Sequence, residues 1–285
     1  MKKGQLVCST IRFPDTYPHN STLVEKTWGG INKPYNNVIW SDGANIYHSN
    51  GTEHYVLNGD TWEVKTWKGI GKFYGSHIWT DGTNIYYSWS YKDENDQYVL
   101  NGDTWEVKTW YGIDTSDLYT DYIWTDGTNI YYSYRSKQYV LNGDTWEEKT
   151  WNGFTPTRGM DIWSDGTNIY YSFENYQYVL NGDVWEEKTW DGLNSFIGPW
   201  IWTDGTNIYY SMPSGHYVLN GDTWKEKTWD GFNDFYGGFL WSDGTNIYCS
   251  SGSAQYVLQP INPTDPNSLL AGCLTGCLIR GWRGK

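Results

Sequence analysis

The chain has 285 residues, 20 of them Trp and 26 Tyr, and a formal net charge of -13. That acidic balance argues against nucleic acid as a partner, because phosphate binding needs a basic face, and it otherwise serves solubility. No stretch holds the roughly 20 apolar residues that cross a bilayer.

From the N-terminus, MKKGQLVCSTIRF carries too short an apolar run for a signal peptide, and residues 1–20 read as an irregular leader. Cys8, Cys249, Cys273 and Cys277 are too few and too peripheral for a disulfide framework, and fit a reducing compartment or a virus particle assembled in one. STLVEKTW (residues 21–28) then reads as a last strand with no unit before it. From there to Leu258 the chain repeats one unit: an IW element, Asp-Gly, NIYYS, a variable insert, YVL, Asn-Gly-Asp and TWEEKTW. The IW tryptophans, Trp40, Trp79, Trp124, Trp163, Trp202 and Trp241, are spaced by 39 residues, and once by 45. A fixed period of this length marks a solenoid, propeller or array.

Each unit predicts four short strands, a to d. Asp-Gly between a and b, and Asn-Gly between c and d, predict two-residue type I′ hairpins. Ile85, Tyr86 and Tyr87 are large in succession, so both sheet faces must be covered, as when blades pack face to face. Glu63 and Lys65 on strand d read as charges guarding an outer edge. The last copy, residues 239–258, has a, b and c but no d, and residues 21–28 supply that strand. An open array would end in polar caps. The chain is therefore expected to be all-β, a six-bladed propeller over residues 21–258 closed by its N-terminal strand, with a tail at 259–285.

Within the unit a Tyr precedes a Trp by seven residues, at Tyr55/Trp62, Tyr98/Trp105, Tyr139/Trp146, Tyr178/Trp185 and Tyr217/Trp224. In this the unit resembles a Kelch-type repeat, which implies a propeller, although Tyr87-Ser88 stands where Kelch has a double glycine. TDGTNIYYS and NGDTWEEKTW are also similar to repeats in bacteriophage tail and host-adhesion proteins, a resemblance that covers residues 21–258 and implies adhesion and a place on a virion.

Comparison of the copies shows where function is to be sought. The a–b and c–d turns barely change, while the b–c inserts and d–a segments differ in every unit. In an up-and-down blade these two connections emerge on one face, and loops on a rigid frame commonly carry binding residues. The candidate ligand-binding residues on that face are Trp89, Tyr91, Tyr74, Tyr119, Tyr122, Tyr134, Arg135, Arg158, Phe173, Tyr176, Trp200 and Tyr236. Exposed aromatics with polar partners suit sugar stacking or anchoring of a protein surface; their plain alternative is to plug the channel mouth. All but three of the tryptophans (Trp89, Trp200 and Trp282) stand at repeat positions and read as packing between blades. The turn aspartates, such as Asp42 and Asp81, would form a ring of carboxylates for cations or a basic partner, but their turns already account for them.

Sialidase chemistry would need an arginine cluster, and residues 21–258 hold only Arg135 and Arg158. The five histidines lack metal-ligand spacing, and no nucleophile elbow or phosphate loop is present. Paired carboxylates for glycoside cleavage stay open, since their separation is not legible. In the tail, Ser268 to Ile279 reads as a short helix with Leu270, Leu274 and Leu278 on one stripe. The expectation is a non-enzymatic binding or adhesion propeller, without cofactor or metal, whose partner is a glycan or protein. The alternative is an assembly component docking other subunits through its tail, and a glycoside-acting enzyme stands third.

Overall fold

The computed structural model describes residues 21–260, except 32–38, 75–77, 92–93, 115–122, 194, 197–199, 204–206, 213–214, 229–239, 243–245 and 252–253. Strand β1 (Ser21–Glu25) comes first. Blade I holds β2 to β5 (Ile39–Ser41, Ile46–Gly51, Glu53–Asn58, Thr61–Val64), with the short β6 (Phe73–Tyr74) added to the end of β3. Blade II holds β7 to β10 (Ile78–Thr80, Ile85–Tyr91, Glu94–Asn101, Thr104–Val107). Blade III holds β11 to β14 (Ile123–Thr125, Ile130–Tyr134, Lys137–Asn142, Thr145–Glu148). Blade IV holds β15 to β18 (Ile162–Ser164, Ile169–Phe173, Tyr176–Asn181, Val184–Glu187). Blade V holds β19 to β22 (Ile201–Thr203, Ile208–Met212, Gly215–Asn220, Thr223–Glu226), and blade VI begins with β23 to β25 (Leu240–Ser242, Ile247–Ser251, Ala254–Pro260).

β1 completes blade VI as its outer strand, antiparallel to β25 from Ser21 opposite Pro260 to Glu25 opposite Tyr256. Leu23 pairs with Leu258 as Trp62 pairs with Leu57, so the closing strand keeps the repeat register. The leader and everything after Pro260, including the tail helix expected at 268–279, Trp282 and three of the four cysteines, lie outside the described residues.

The turns differ from the hairpins expected. Thr80 pairs with Ile85, which leaves a four-residue a–b loop and not two residues. The aspartate side chain closes it: Asp81 Oδ1 accepts from the backbone N–H of Thr83 (2.8 Å) and Asn84 (2.7 Å), while Oδ2 accepts from Asn84 Nδ2 and the Tyr86 hydroxyl. This side-chain turn outcompetes the tight hairpin because it satisfies two backbone donors at once. Asp42, Asp126 and Asp165 do the same. The c–d turn is a two-residue hairpin, but its central pair is Gly-Asp. Gly102 is left-handed (φ 60°) and Asp103 is not, the type II′ pattern in place of I′.

Neighbouring tyrosines on the b strands face opposite ways, as the bulk on both faces requires. Tyr87 packs towards blade I with Trp40, Trp67 and Trp105, whereas Tyr86 packs towards blade III with Trp79, Trp110 and Trp146. Six such clusters, one at each junction, close the ring. At the seam Trp28 lies 5.5 Å from Trp241, as Trp67 lies 5.5 Å from Trp40. In blades I to V the IW indole donates to a buried serine; in blade III Trp124 Nε1 donates to Ser133 Oγ at 2.8 Å, and that hydroxyl donates to Gln138 Oε1 at 2.5 Å. The relay satisfies polar groups whose desolvation would otherwise destabilise the blade.

Among the described residues a belt on the rim joins blade to blade at five junctions, from blade VI through blade I to blade V. After its outer strand the chain bridges in parallel to the following outer strand, Tyr111 to Thr145 for example, with Trp146 N–H donating to Tyr111 O at 2.8 Å. Lys108, the equivalent in blade II of Lys65, the residue expected to guard an outer edge, pairs with Asp144 of the next blade and lies 4.6 Å over Trp110. Lys26, Lys65, Lys149 and Lys188 repeat the arrangement. The close approach requires the glycine two residues after the KTW tryptophan, at Gly30, Gly69, Gly112, Gly153 and Gly192. A Cβ on Gly112 (φ 78°) would meet Trp146 O at 2.1 Å. Gly143→Ala, left-handed but in open space, is expected to cost about 1 kcal/mol. Gly112→Ala should cost about twice that or more, since the adjoining strand must also shift. Urea titration of both variants checks the difference, and equal losses would contradict the belt contact.

Candidate recognition face

The b–c and d–a connections meet on one side of the ring wherever both are described. Phe73 and Tyr74 pair with Gly51 and Asn50, the N–H of Arg135 donates to Thr157 O at 2.8 Å, and that of Phe196 donates to Glu174 O at 3.3 Å. In all three cases the d–a segment runs along the hairpin of the blade it has just left. Variable residues distant in sequence thus become neighbours on a constant frame.

The best-defined part lies where blade III meets blade IV. Tyr134 forms an antiparallel bridge with Arg158, and Gln138 Nε2 donates to Pro156 O at 2.5 Å, which fixes the d–a segment under the hairpin. The Arg135 guanidinium lies 4.9 Å over Tyr134, and that of Arg158 reaches blade IV to lie 4.6 Å over Phe173. Tyr176, opposite Phe173 in the next hairpin, is 56% exposed. Phe154 stacks on Tyr178 at 4.0 Å and supports the floor. Five of the expected residues, Tyr134, Arg135, Arg158, Phe173 and Tyr176, therefore share one patch.

The other expected residues are placed differently. Trp89 occupies the same strand position in blade II as Tyr134 and Phe173 do in blades III and IV, on a longer hairpin that ends with Tyr91 opposite Glu94. Tyr74 belongs to the blade I edge. Trp200 is half-buried against the junction of blades IV and V, and so is a packing residue more than a free platform. Tyr119, Tyr122 and Tyr236 lie outside the described residues.

Two features of the patch were not legible in the sequence. Arg135 (φ 56°) and Glu174 (φ 52°) are left-handed, a conformation that blade I gives to Gly51 (φ 66°) at the same hairpin position. Such strain in a non-glycine residue costs about 1–2 kcal/mol. The second is Asp161, fully buried in the 3-10 turn Gly159–Asp161 with no hydrogen-bond partner for either carboxylate oxygen. Burial pushes its carboxyl up to about 7, partly offset by Arg158. Nothing in the variable segment marks this acid among many.

The turn aspartates of the opposite side are committed to their loops. Burial raises Asp81, but hydrogen bonds from Asn84, Tyr86 and Thr83 outweigh it and hold the carboxyl below its ordinary value. Among the described residues no group of three or more His, Cys, Asp or Glu is placed to hold a metal ion, and no helix is long and apolar enough to cross a membrane. Cys249 is buried, and burial pushes its thiol up to about 12.

No family model matches the chain, and no curated protein matches it. Among solved structures it is similar to two extracellular domains from B. thetaiotaomicron, of a "putative one component system" (13% identity, TM-score 0.41) and a "putative hybrid two component system" (9%, 0.46). These cover 87% and 90% of this chain, which spans only 40% and 43% of theirs. A "putative gluconolactonase" matches over 92% of this chain and 99% of its own, at 11% identity and a TM-score of 0.32. The six-bladed assignment rests on the strand pairing and the six junction clusters.

Proposed function

We propose that this propeller is a non-enzymatic binding module of the adhesion type, which engages a ligand through its variable face at blades III and IV. The observation that carries this reading is the convergence there of residues from separate connections. Arg135 from a b–c hairpin and Arg158 from a d–a segment each lie over an aromatic ring, with Tyr176 exposed beside them. Rigid aromatics flanked by arginine are the side chains that concentrate binding energy at interfaces. The committed turn aspartates on the other side support placing recognition on this one.

The test is binding of the purified protein to a glycan array and to a panel of bacterial surfaces, beside Arg158→Ala/Tyr176→Ala. The double variant should lose about tenfold or more in affinity while its melting temperature stays at the parent value. Binding equal in both proteins would move recognition off this face. Absence of any binding would favour assembly through the C-terminal tail, and tail-less protein would then be compared with the parent by light scattering.

A further inference from the structure

The only two arginines between residues 21 and 258 stand 23 positions apart in sequence, yet the fold sets them on adjoining backbone. Tyr134, the neighbour of Arg135, bridges to Arg158, and the N–H of Arg135 is held by Thr157. Both arginines are exposed, and among the described residues neither has a carboxylate within ion-pair distance. Lys26, Lys65, Lys108, Lys149 and Lys188 of the rim, by contrast, are each tied to an aspartate. Arg135 also keeps a left-handed backbone that glycine would adopt without strain.

Each guanidinium spends its face on a ring, which leaves its N–H donors, lying in the plane, free to grip an oxyanion. Planar two-oxygen groups suit that fork better than a point charge does. The net charge of -13 repels polyanions from the molecule as a whole, so a ligand carrying one isolated charge is favoured over a densely charged polymer. The exposed ring of Tyr176 offers a stacking surface beside the pair.

Resting on the reading that this face binds ligand, we infer that the arginine pair recognises the carboxylate of an acidic saccharide, with a pyranose ring packed on the exposed ring of Tyr176. The acid group fixes the orientation of the sugar, and Tyr176 supplies the apolar contact.

The test uses the full chain and calorimetric titration with a panel of oligosaccharides containing a single uronic acid, each beside its carboxyl-reduced counterpart. The parent should bind an acidic member about tenfold or more tighter than the reduced one, with affinity falling as salt rises. Arg158→Lys keeps the charge, loses the fork, and should lose most of the preference. Arg135→Gly should lose it too while melting later than the parent, an outcome that a structural role for this side chain does not produce. Equal binding of acidic and reduced members would overturn the inference and leave the binding face standing. So would binding of poly-glutamate or of a protein surface, lost in Tyr176→Ala, with no acidic saccharide bound. If nothing bound is sensitive to any substitution on this face, both readings fall.

Discussion

Removing residues 1–28 is expected to abolish the cooperative thermal transition of the whole propeller, not merely to lower it by one strand's share. Residues 21–25 form the outer strand of blade VI, and Trp28 packs on Trp241, Tyr248 and Trp62, thereby holding blade VI to blade I. Truncating one buried Trp in such a cluster costs roughly 3–5 kcal/mol, against a total of about 5–15 kcal/mol for a folded domain. Losing the strand as well exposes the edge of β25 and opens the ring. The register also supplies the rescue. Thr22 pairs with Gln259 as Thr61 pairs with Asn58 across Gly59-Asp60. A permutant running from residue 29 to 259, then Gly-Asp, then Thr22 to Trp28, should melt like the parent. A truncated chain that melts as late and as sharply as the intact one would contradict closure.

The second large effect is in pH. His48 is buried where blades II to V carry Tyr87, Tyr132, Tyr171 and Tyr210, and burial, with His54 adding repulsion, pushes it down to about 4 from 6.5. As pH falls from 6.5 to 4 the unfolded chain takes up a proton there that the folded chain does not, so stability is lost. Asp161 acts in the opposite sense, since its folded value of about 7 lies above the ordinary 3.8. The folded chain takes up that proton first, and stability is gained over nearly the same range. One proton amounts to about 1.4 kcal/mol per pH unit, so the two slopes largely cancel in the parent between pH 4.5 and 6.5 (about two units). His48→Tyr should leave a protein that loses about 3 kcal/mol as pH rises across that range. Asp161→Asn should lose about as much as pH falls. Urea midpoints at half-unit intervals read both slopes, and three parallel profiles would contradict the burial of these groups.

Much of this fold is legible in the sequence because each repeat states the same constraint again. The tryptophan spacing, the paired bulky tyrosines and the orphan strand at residues 21–28 fix the number of blades, the coverage of both faces and the closure. The turn types were not legible. Asp-Gly suits both a two-residue hairpin and the four-residue loop found, and the choice depends on Asn84 and Tyr86 reaching Asp81 from across the turn. The lysine belt was hidden for a related reason, since Lys65 and Asp103 are 38 positions apart and only the packing of adjacent rims joins them. Yet the glycine two residues after each KTW tryptophan was a visible signal for that close approach. At the recognition face the sequence marks Arg135 and Arg158 as rare and variable. Their adjacency, and the burial of Asp161, arise from the d–a segment folding back on the hairpin.

The most direct measurement exchanges one hairpin and leaves the frame untouched. Arg135, Ser136 and Lys137 are replaced by Gly, Thr and Glu, the residues at the same hairpin positions of blade I (Gly51, Thr52 and Glu53), while Tyr134, whose ring packs on the junction of blades II and III, is kept. The left-handed Gly51 of that donor relieves the strain at position 135. The graft is therefore expected to melt at or slightly above the parent temperature and to lose binding to the surface or glycan that the parent captures. A graft that melts like the parent and still binds with parental affinity would contradict recognition at the junction of blades III and IV.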